Sequence, residues 1–312
     1  MGHGTKRLGM SGSRYVIGQG KKEWSRLFTE ALFPKRENGR LWQARPGFTL
    51  VELLVALVIS GIVMGGTYLV YRSQQRSYRV QEDIAATQQN LRAAMDVMER
   101  EIRMAGYDPQ RTGGFSIEDI RSKDLSDNPD ANGYPSLKFT IDVNGDGLPG
   151  GPRESVYFCI YDSGGDGDTD LGLRWEGGTR QMLGENIDAL GFAYAYDNND
   201  DGRLDTDPAF PAQGEVIWAV DSDNDNYLDR NIDTDHNGVI DINDDPAGIA
   251  ISPIHRSKIR GVKIWMLART DRQDRGYRDT NTYVVSNQRI TPQDEFRRRV
   301  TVSTIRCRNL GL

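Results

Sequence analysis

Histidine and cysteine are scarce in this chain of 312 residues, with three of the first and two of the second. No Gly-x-Ser-x-Gly, phosphate-binding loop or His-Glu-x-x-His pattern occurs. His3 lies near the start, His236 falls at an outward-facing loop position where solvent exposure is expected, and His255 follows Pro253 in an expected turn. With the usual nucleophilic and acid–base constellations missing, a non-enzymatic role is expected. Acidic pairs are plentiful, but their spacing is that of cation loops rather than of a glycosidase pair. Long hydrophobic runs are also rare. Hydrophobic residues are 37% and mean hydropathy is -0.60, which excludes a multi-span membrane protein. Charged residues are 27% and aromatics 9%, which excludes a disordered chain. The length allows one large domain or two modest ones.

Basic residues are thin over one long stretch. Residues 142–245 hold 25 acids and 5 bases, a net of -20. Residues 1–47 are the reverse, with 10 Lys+Arg against 3 Asp+Glu. The formal net charge of -6 therefore hides a basic start and an acidic middle. A nucleic-acid binder needs a basic surface to meet phosphates, so no nucleic-acid partner is expected.

The one long apolar run is Phe48 to Tyr71, FTLVELLVALVISGIVMGGTYLVY. At a rise of about 1.5 Å per residue it is long enough to cross a bilayer core of about 30 Å. A signal peptide would have a shorter apolar core and a small-residue cleavage site after it. The preceding Lys35, Arg36, Arg40 and Arg45 keep the leader cytoplasmic and send the residues after Tyr71 outward. The run holds no Lys, Arg, His or Pro, and one acid, Glu52. A carboxylate in a span is costly without a partner. With none available in the run, its partner must come from another segment, another molecule or an amine made by cleavage.

Arg45-Pro46-Gly47-Phe48-Thr49-Leu50-Val51-Glu52 resembles the processing site of type IV prepilins and type II secretion pseudopilins. The resemblance implies cleavage after Gly47 by a prepilin peptidase, N-methylation of the new terminal Phe48, and an assembly role for Glu52. The positive amine of Phe48 on one subunit would neutralise Glu52 of a neighbour, which favours packing and register. The 47-residue leader is long for this family, and Met10 is an alternative start. The helix-kinking proline of many major pilins is replaced by Gly61, Gly65 and Gly66 as points of flexibility. Gly61 and Gly65 also form a small-xxx-small pair that would permit close helix contact.

Helical periodicity continues beyond the span. Leu91, Met95, Met98 and Ile102 form one stripe, and Gly106 with Asp108-Pro109 ends the helix. One helix from Phe48 to Ala105 would be roughly 85 Å long. The segment ending RMAGY resembles PilW-type minor pilins and the pseudopilin J group. Strands are expected at 136–143, 154–161, 184–197, 215–220, 259–270 and 281–286, and in the C-terminal FRRRVTVSTIRCRNLGL. Residues 107–135 read as a surface connection. The fold class is α+β: a long N-terminal helix on a mostly antiparallel sheet. Three parts are expected, namely a cleaved leader 1–47, a membrane or filament-core half-helix 48–80, and an exported domain 81–312 with an acidic insertion at 142–245.

Four acidic segments repeat a ligand spacing. Asp233, Asp235, Asn237, Asp241 and Asp244 stand at positions 1, 3, 5, 9 and 12 of a calcium loop, with Gly238 at 6 and Ile240 at 8. Asp221, Asp223, Asp225 and Asp229 begin a second, which Asp233 would close or share. Asp197, Asn199, Asp201 and Asp205 begin a third, with Asp207 standing in at its end. Asp142, Asn144 and Asp146 begin a fourth, where Arg153 occupies position 12 and Glu154 lies one beyond. Asp162, Asp166, Asp168 and Asp170 are a loose cluster. Structural Ca2+ would offset the local charge and order the loops. The bland alternative is that Asp, Asn and Gly simply form turns.

Cys159 and Cys307 both fall in expected strands, so one disulfide and two buried thiols both remain open. The reading is a PilW-type minor pilin, inner-membrane anchored before assembly into the pilus of a Gram-negative bacterium. Its partners would be other major and minor pilins, the prepilin peptidase and the inner membrane. The alternatives are a J-like type II secretion pseudopilin and a calcium-dependent adhesin that holds a surface ligand.

Overall fold

A computed structural model describes residues 47–120, 136–162, 167–207 and 214–311. The expected leader, apart from Gly47, lies outside the described residues, as do much of the 107–135 connection and Asp166. The chain divides into two compact units, 1–66 and 67–312.

Helix α1 spans Leu50–Arg103 without interruption. No proline falls within it to remove a backbone donor. Residues 47–79 are exposed, the whole apolar run among them. The later turns are amphipathic, and Leu91, Ala94, Met95, Met98 and Ile102 are buried at the spacing of one helix face. Beyond Arg103 the chain turns at Gly106, which has a φ of 75°. Its N–H donates to the Thr140 carbonyl at 2.9 Å, tying the helix end to the sheet.

Thirteen strands follow among the described residues. β1 (Ile117–Asp119), β2 (Ser136–Thr140), β3 (Ser155–Tyr161), β4 (Asp170–Trp175) and β5 (Gln181–Gly184) form an antiparallel sheet in chain order. The other strands of the second unit are β6 (Ile187–Tyr196), β7 (Ala219–Val220), β8 (Tyr227–Asn231), β9 (Ile249–His255), β10 (Ile259–Arg269) and β13 (Arg298–Arg306). They make a six-stranded sheet in the order β13-β10-β6-β7-β8-β9. β11 (Tyr283–Val285) and β12 (Gln288–Ile290) form a separate hairpin.

β6 and β10 are buried on both faces, which explains why they read as the strongest strands. Leu190, Phe192, Tyr194, Val262, Ile264 and Met266 face a core shared with the α1 stripe and the five-stranded sheet. The alternate residues Ala189, Ala193, Ala195, Trp265 and Leu267 face a second core with Trp218, Ile232, Ile240 and Val285. The period of two thus serves two cores at once.

Three expectations need correction. The 107–135 connection contributes Phe115, Ile117 and Ile120 to the interior, and β1 pairs with β2. The acidic span 142–245, expected as an insertion, supplies β3 to β8, with most of its acids in the turns between them. His255 does not sit in a turn after Pro253. Both belong to β9, an edge strand, where a residue without an N–H is tolerated.

Candidate functional site

The helix start is built from Thr49 and Glu52. The Thr49 N–H donates to Glu52 Oε2 at 2.8 Å, and the Thr49 hydroxyl donates to the same oxygen at 3.0 Å. In return the Glu52 N–H donates to Thr49 Oγ1 at 3.2 Å. This is a capping box, in which residues three apart satisfy each other's free donors at a helix N-terminus. Glu52 therefore has partners inside its own turn, contrary to the expectation that they must come from elsewhere. Those partners are neutral, however. They orient the carboxylate through Oε2. Phe48 and Gly47 stand immediately outside this box, and Phe48 is 90% exposed.

Among the described residues, three acidic groups bring carboxylate oxygens within 4.8 Å of one another: Asp233 with Asp235 and Asp244, Asp221 with Asp223 and Asp225, and Asp142 with Asp146 and Glu154. In the first, Asp233 and Asp244 are buried. Asp233 accepts the N–H groups of Asn237 at 3.2 Å and Gly238 at 2.8 Å. Asp244 accepts those of Thr234 at 2.6 Å and Asp241 at 2.8 Å. Gly238 has a φ of 79°, the sharp bend that the spacing asks for at position 6. Asn237 bonds Asp235, and Asp241 turns instead to the Asn243 N–H at 2.7 Å. Arg289 of β12 donates to the carbonyls of Asp241 at 2.7 Å and Asp244 at 2.9 Å, holding the end of the loop. Ile240 fixes the loop by entering the second core. Burial raises the Asp233 carboxyl above its usual range, and the charges of Asp244 and Asp235 add to that.

In the second group Asp221 is buried and accepts N–H groups from Asn224 at 2.7 Å and Asn226 at 2.8 Å. Burial pushes its carboxyl up to about 6. Asp229 faces Ser222, accepting its N–H at 2.8 Å and its hydroxyl at 2.6 Å. Leu228 anchors this loop in the first core. Asp233 gathers with its own loop rather than closing this one.

The third loop departs from its expected form. Asp197 accepts N–H groups from Asp201 at 3.1 Å and Gly202 at 2.9 Å, and Asn199 bonds Asp201 at 3.1 Å. Asp205 accepts from the Asn198 N–H at 3.4 Å, and burial raises its carboxyl. Among the described residues these acids do not form a three-carboxylate group. Asp207 does not close the loop, because it pairs with His236 Nδ1 at 2.5 Å. That contact also corrects the expectation of a solvated His236, whose ring is largely covered. Asp200 in the same turn is neutralised by Lys258 and Arg260. The loose cluster disperses: Asp162 accepts from the Gly167 N–H at 3.0 Å, Asp168 pairs with Arg269, and Asp170 accepts from the Asn186 N–H at 2.9 Å.

Cys159 and Cys307 are both buried, and no disulfide joins them. Cys307 lies just past β13 rather than in it, and burial pushes its thiol up to about 12. Sequence reading gave no role to Thr49 or Arg289. The Thr-x-x-Glu spacing signalled the first. Arg289 carried no signal, since it arrives from the far hairpin.

Comparison with known proteins completes the picture. Residues 42–68 match the prokaryotic N-terminal methylation motif. Residues 169–309 match the type IV pilus-assembly protein W family. Together these two matches support a type IV minor pilin of the PilW type. Members of these families are structural subunits of filaments, not enzymes. No curated protein matches the chain. Among solved structures, the type IV-like pilin TTHA1219 from Thermus thermophilus is similar at 14% identity, over 72% of this chain and 97% of that one, with a TM-score of 0.36. The assignment rests on the two family matches. The methylation motif followed by one long apolar helix fits a pilin that is anchored in the inner membrane and later taken into the pilus.

Proposed function

We propose that this minor pilin is made as a prepilin, cut after Gly47 by prepilin peptidase, methylated on Phe48, and placed with other pilins at the tip of a type IV pilus, where it helps to start assembly. The supporting observation is the bare apolar helix that follows Gly47. Every apolar side chain from Phe48 to Tyr71 is exposed, and such a surface needs lipid before assembly and neighbouring helices after it. The leader then ends at Gly47, residues 48–80 form the membrane and filament-core part, and residues 81–312 form the exported part.

Glu52 selects the register. Its capping box survives cleavage, because Thr49 keeps its amide when Phe48 becomes the terminus. A neighbouring Phe48 amine then supplies the positive charge that Thr49 cannot. Ca2+ at the 233–244 and 221–225 loops holds the turns of the acidic span and offsets their mutual repulsion. Oxygen-only donor sets suit this hard cation.

Intact-mass and N-terminal analysis of the native protein tests the processing step. The expected product begins at methylated Phe48, and a mature protein retaining residues 1–47 would sink the reading. A deletion strain should lose or shorten its pili. Loss of protein secretion with pili intact would move the protein to a type II secretion system.

A further inference from the structure

We propose that Asp142, Asp146 and Glu154 form a separate divalent-cation site, selective for a hard ion of the Ca2+ class, which locks the junction between helix α1 and the five-stranded sheet. The proposal stands whether or not the chain acts at a pilus tip.

The deciding residue is Glu154. It is 0% exposed, one residue beyond the place where a regular calcium loop would supply its closing ligand. Its Oε2 accepts the Gly151 N–H at 2.5 Å. Its Oε1 is buried and has no hydrogen-bond partner. A buried carboxylate oxygen without a partner is costly, since it has given up water for nothing. That side chain brings an oxygen within 4.8 Å of oxygens of both Asp142 and Asp146. Among the described residues, none of the three makes an ion pair. A divalent ion would satisfy the orphan and balance the three acids together.

The other two members are already aimed. Asp142 is buried and is held through both oxygens, by the Gly145 N–H at 2.6 Å and the Gly147 N–H at 3.2 Å. Asp146 is exposed, so an ion can enter from solvent on its side. All donors are oxygens, with no thiolate or imidazole in the group, which fits Ca2+ rather than a transition metal. Gly151 makes the close approach possible, since a Cβ there would stand 2.7 Å from Glu154 Oε1.

The place gives the ion a task. The Asp142 N–H donates to the Tyr107 carbonyl at 2.8 Å, and the Thr112 hydroxyl donates to the Gly147 carbonyl at 2.7 Å. Gln110 also donates to the Gly145 carbonyl. The same loop thus carries three of the bonds that hold residues 107–112, directly after the helix end. Loading the site stiffens that junction.

The test uses full-length protein in detergent micelles, stripped with chelator and titrated calorimetrically with CaCl2. Glu154→Gln keeps the shape of the side chain and removes its charge. It should abolish one equivalent of Ca2+ binding that Asp233→Asn leaves in place. Independently of any variant, Ca2+ added to the wild type should slow amide exchange in residues 142–154 and 107–112 at least tenfold. Equal stoichiometry in wild type and Glu154→Gln overturns the proposal. So does unchanged exchange in the wild type. Binding lost in Asp233→Asn but kept in Glu154→Gln counts against this site alone and leaves the 233–244 loop standing.

Discussion

Gly106→Ala should destabilise the second unit by two separable effects. The first is backbone strain. Gly106 has a φ of 75°, and a residue with a Cβ is disfavoured there by about 1–2 kcal/mol. The second is a collision, since the new Cβ would stand 2.3 Å from Leu310 Cδ2 and 3.4 Å from the Asn309 carbonyl oxygen. Leu310 is partly buried against the main core and can swing away only by surrendering that contact. Full burial of a leucine is worth about 1.5–3 kcal/mol, so losing part of it costs about 1 kcal/mol. Together the loss is about 2–3 kcal/mol, or a fall in melting temperature of roughly 5–10 °C for a domain of this size. Calorimetry of full-length protein in micelles reads this directly. Gly177→Ala is the control, because its φ is 70° and nothing lies within 4 Å of the new Cβ, so it should show the strain alone. Gly106→Ala combined with Leu310→Ala should be less harmful than the sum of the two by about 1 kcal/mol. Identical melting of the two glycine variants, or strict additivity in the pair, would refute the collision.

Three further outcomes are expected. Met98→Ala opens a cavity in the fully buried helix stripe and should cost about 2–5 kcal/mol in denaturant unfolding, whereas a loss under about 1 kcal/mol would mean that the helix is not docked on the sheets. Thr49→Ala removes the capping hydroxyl and should cost about 1 kcal/mol at the helix start, seen as several-fold faster amide exchange at residues 50–53 in micelles. No change there would remove the capping box from the account. Hydrogen bonds from Arg298 hold the Asp294 carboxyl below its ordinary value. Its ionised form therefore stabilises the fold above the ordinary value, and that contribution is lost as pH falls through the lowered one. Asp294→Asn should flatten the melting-temperature profile between about pH 4 and pH 2 relative to wild type, and parallel profiles would contradict the pairing.

How legible these features were depended on how local their signals are. Helix α1, β6, β10 and β13 could be read from the sequence because each is long and apolar at a steady period. β1, β4, β5, β8, β9 and β12 escaped. They are short, and their partners are set by tertiary pairing rather than by their own composition. β8 lies inside a ligand-spacing pattern, where Tyr227 and Leu228 looked like loop positions. β9 contains Pro253, which argues against a strand unless the strand is an edge. The acidic loops were legible at their first positions, because the Asp-x-Asp/Asn-x-Asp turn closes on itself through backbone N–H groups. Their last ligands were not, because these depend on where the next strand begins. Glu154 enters its group only because β3 starts at Ser155, and Asp207 leaves its loop because His236 is nearer.

The pairing of β10 has a consequence for the order of events during synthesis. β10 lies between β6, which precedes it, and β13, which comes about thirty residues after it, matched residue for residue from Gly261–Arg306 to Arg269–Arg298. The stripe of α1 is synthesised long before either central strand and has nothing to dock on until both have been made. Folding must close contacts between residues about two hundred apart, a separation that slows folding and leaves Met98 and Ile102 uncovered until those contacts form.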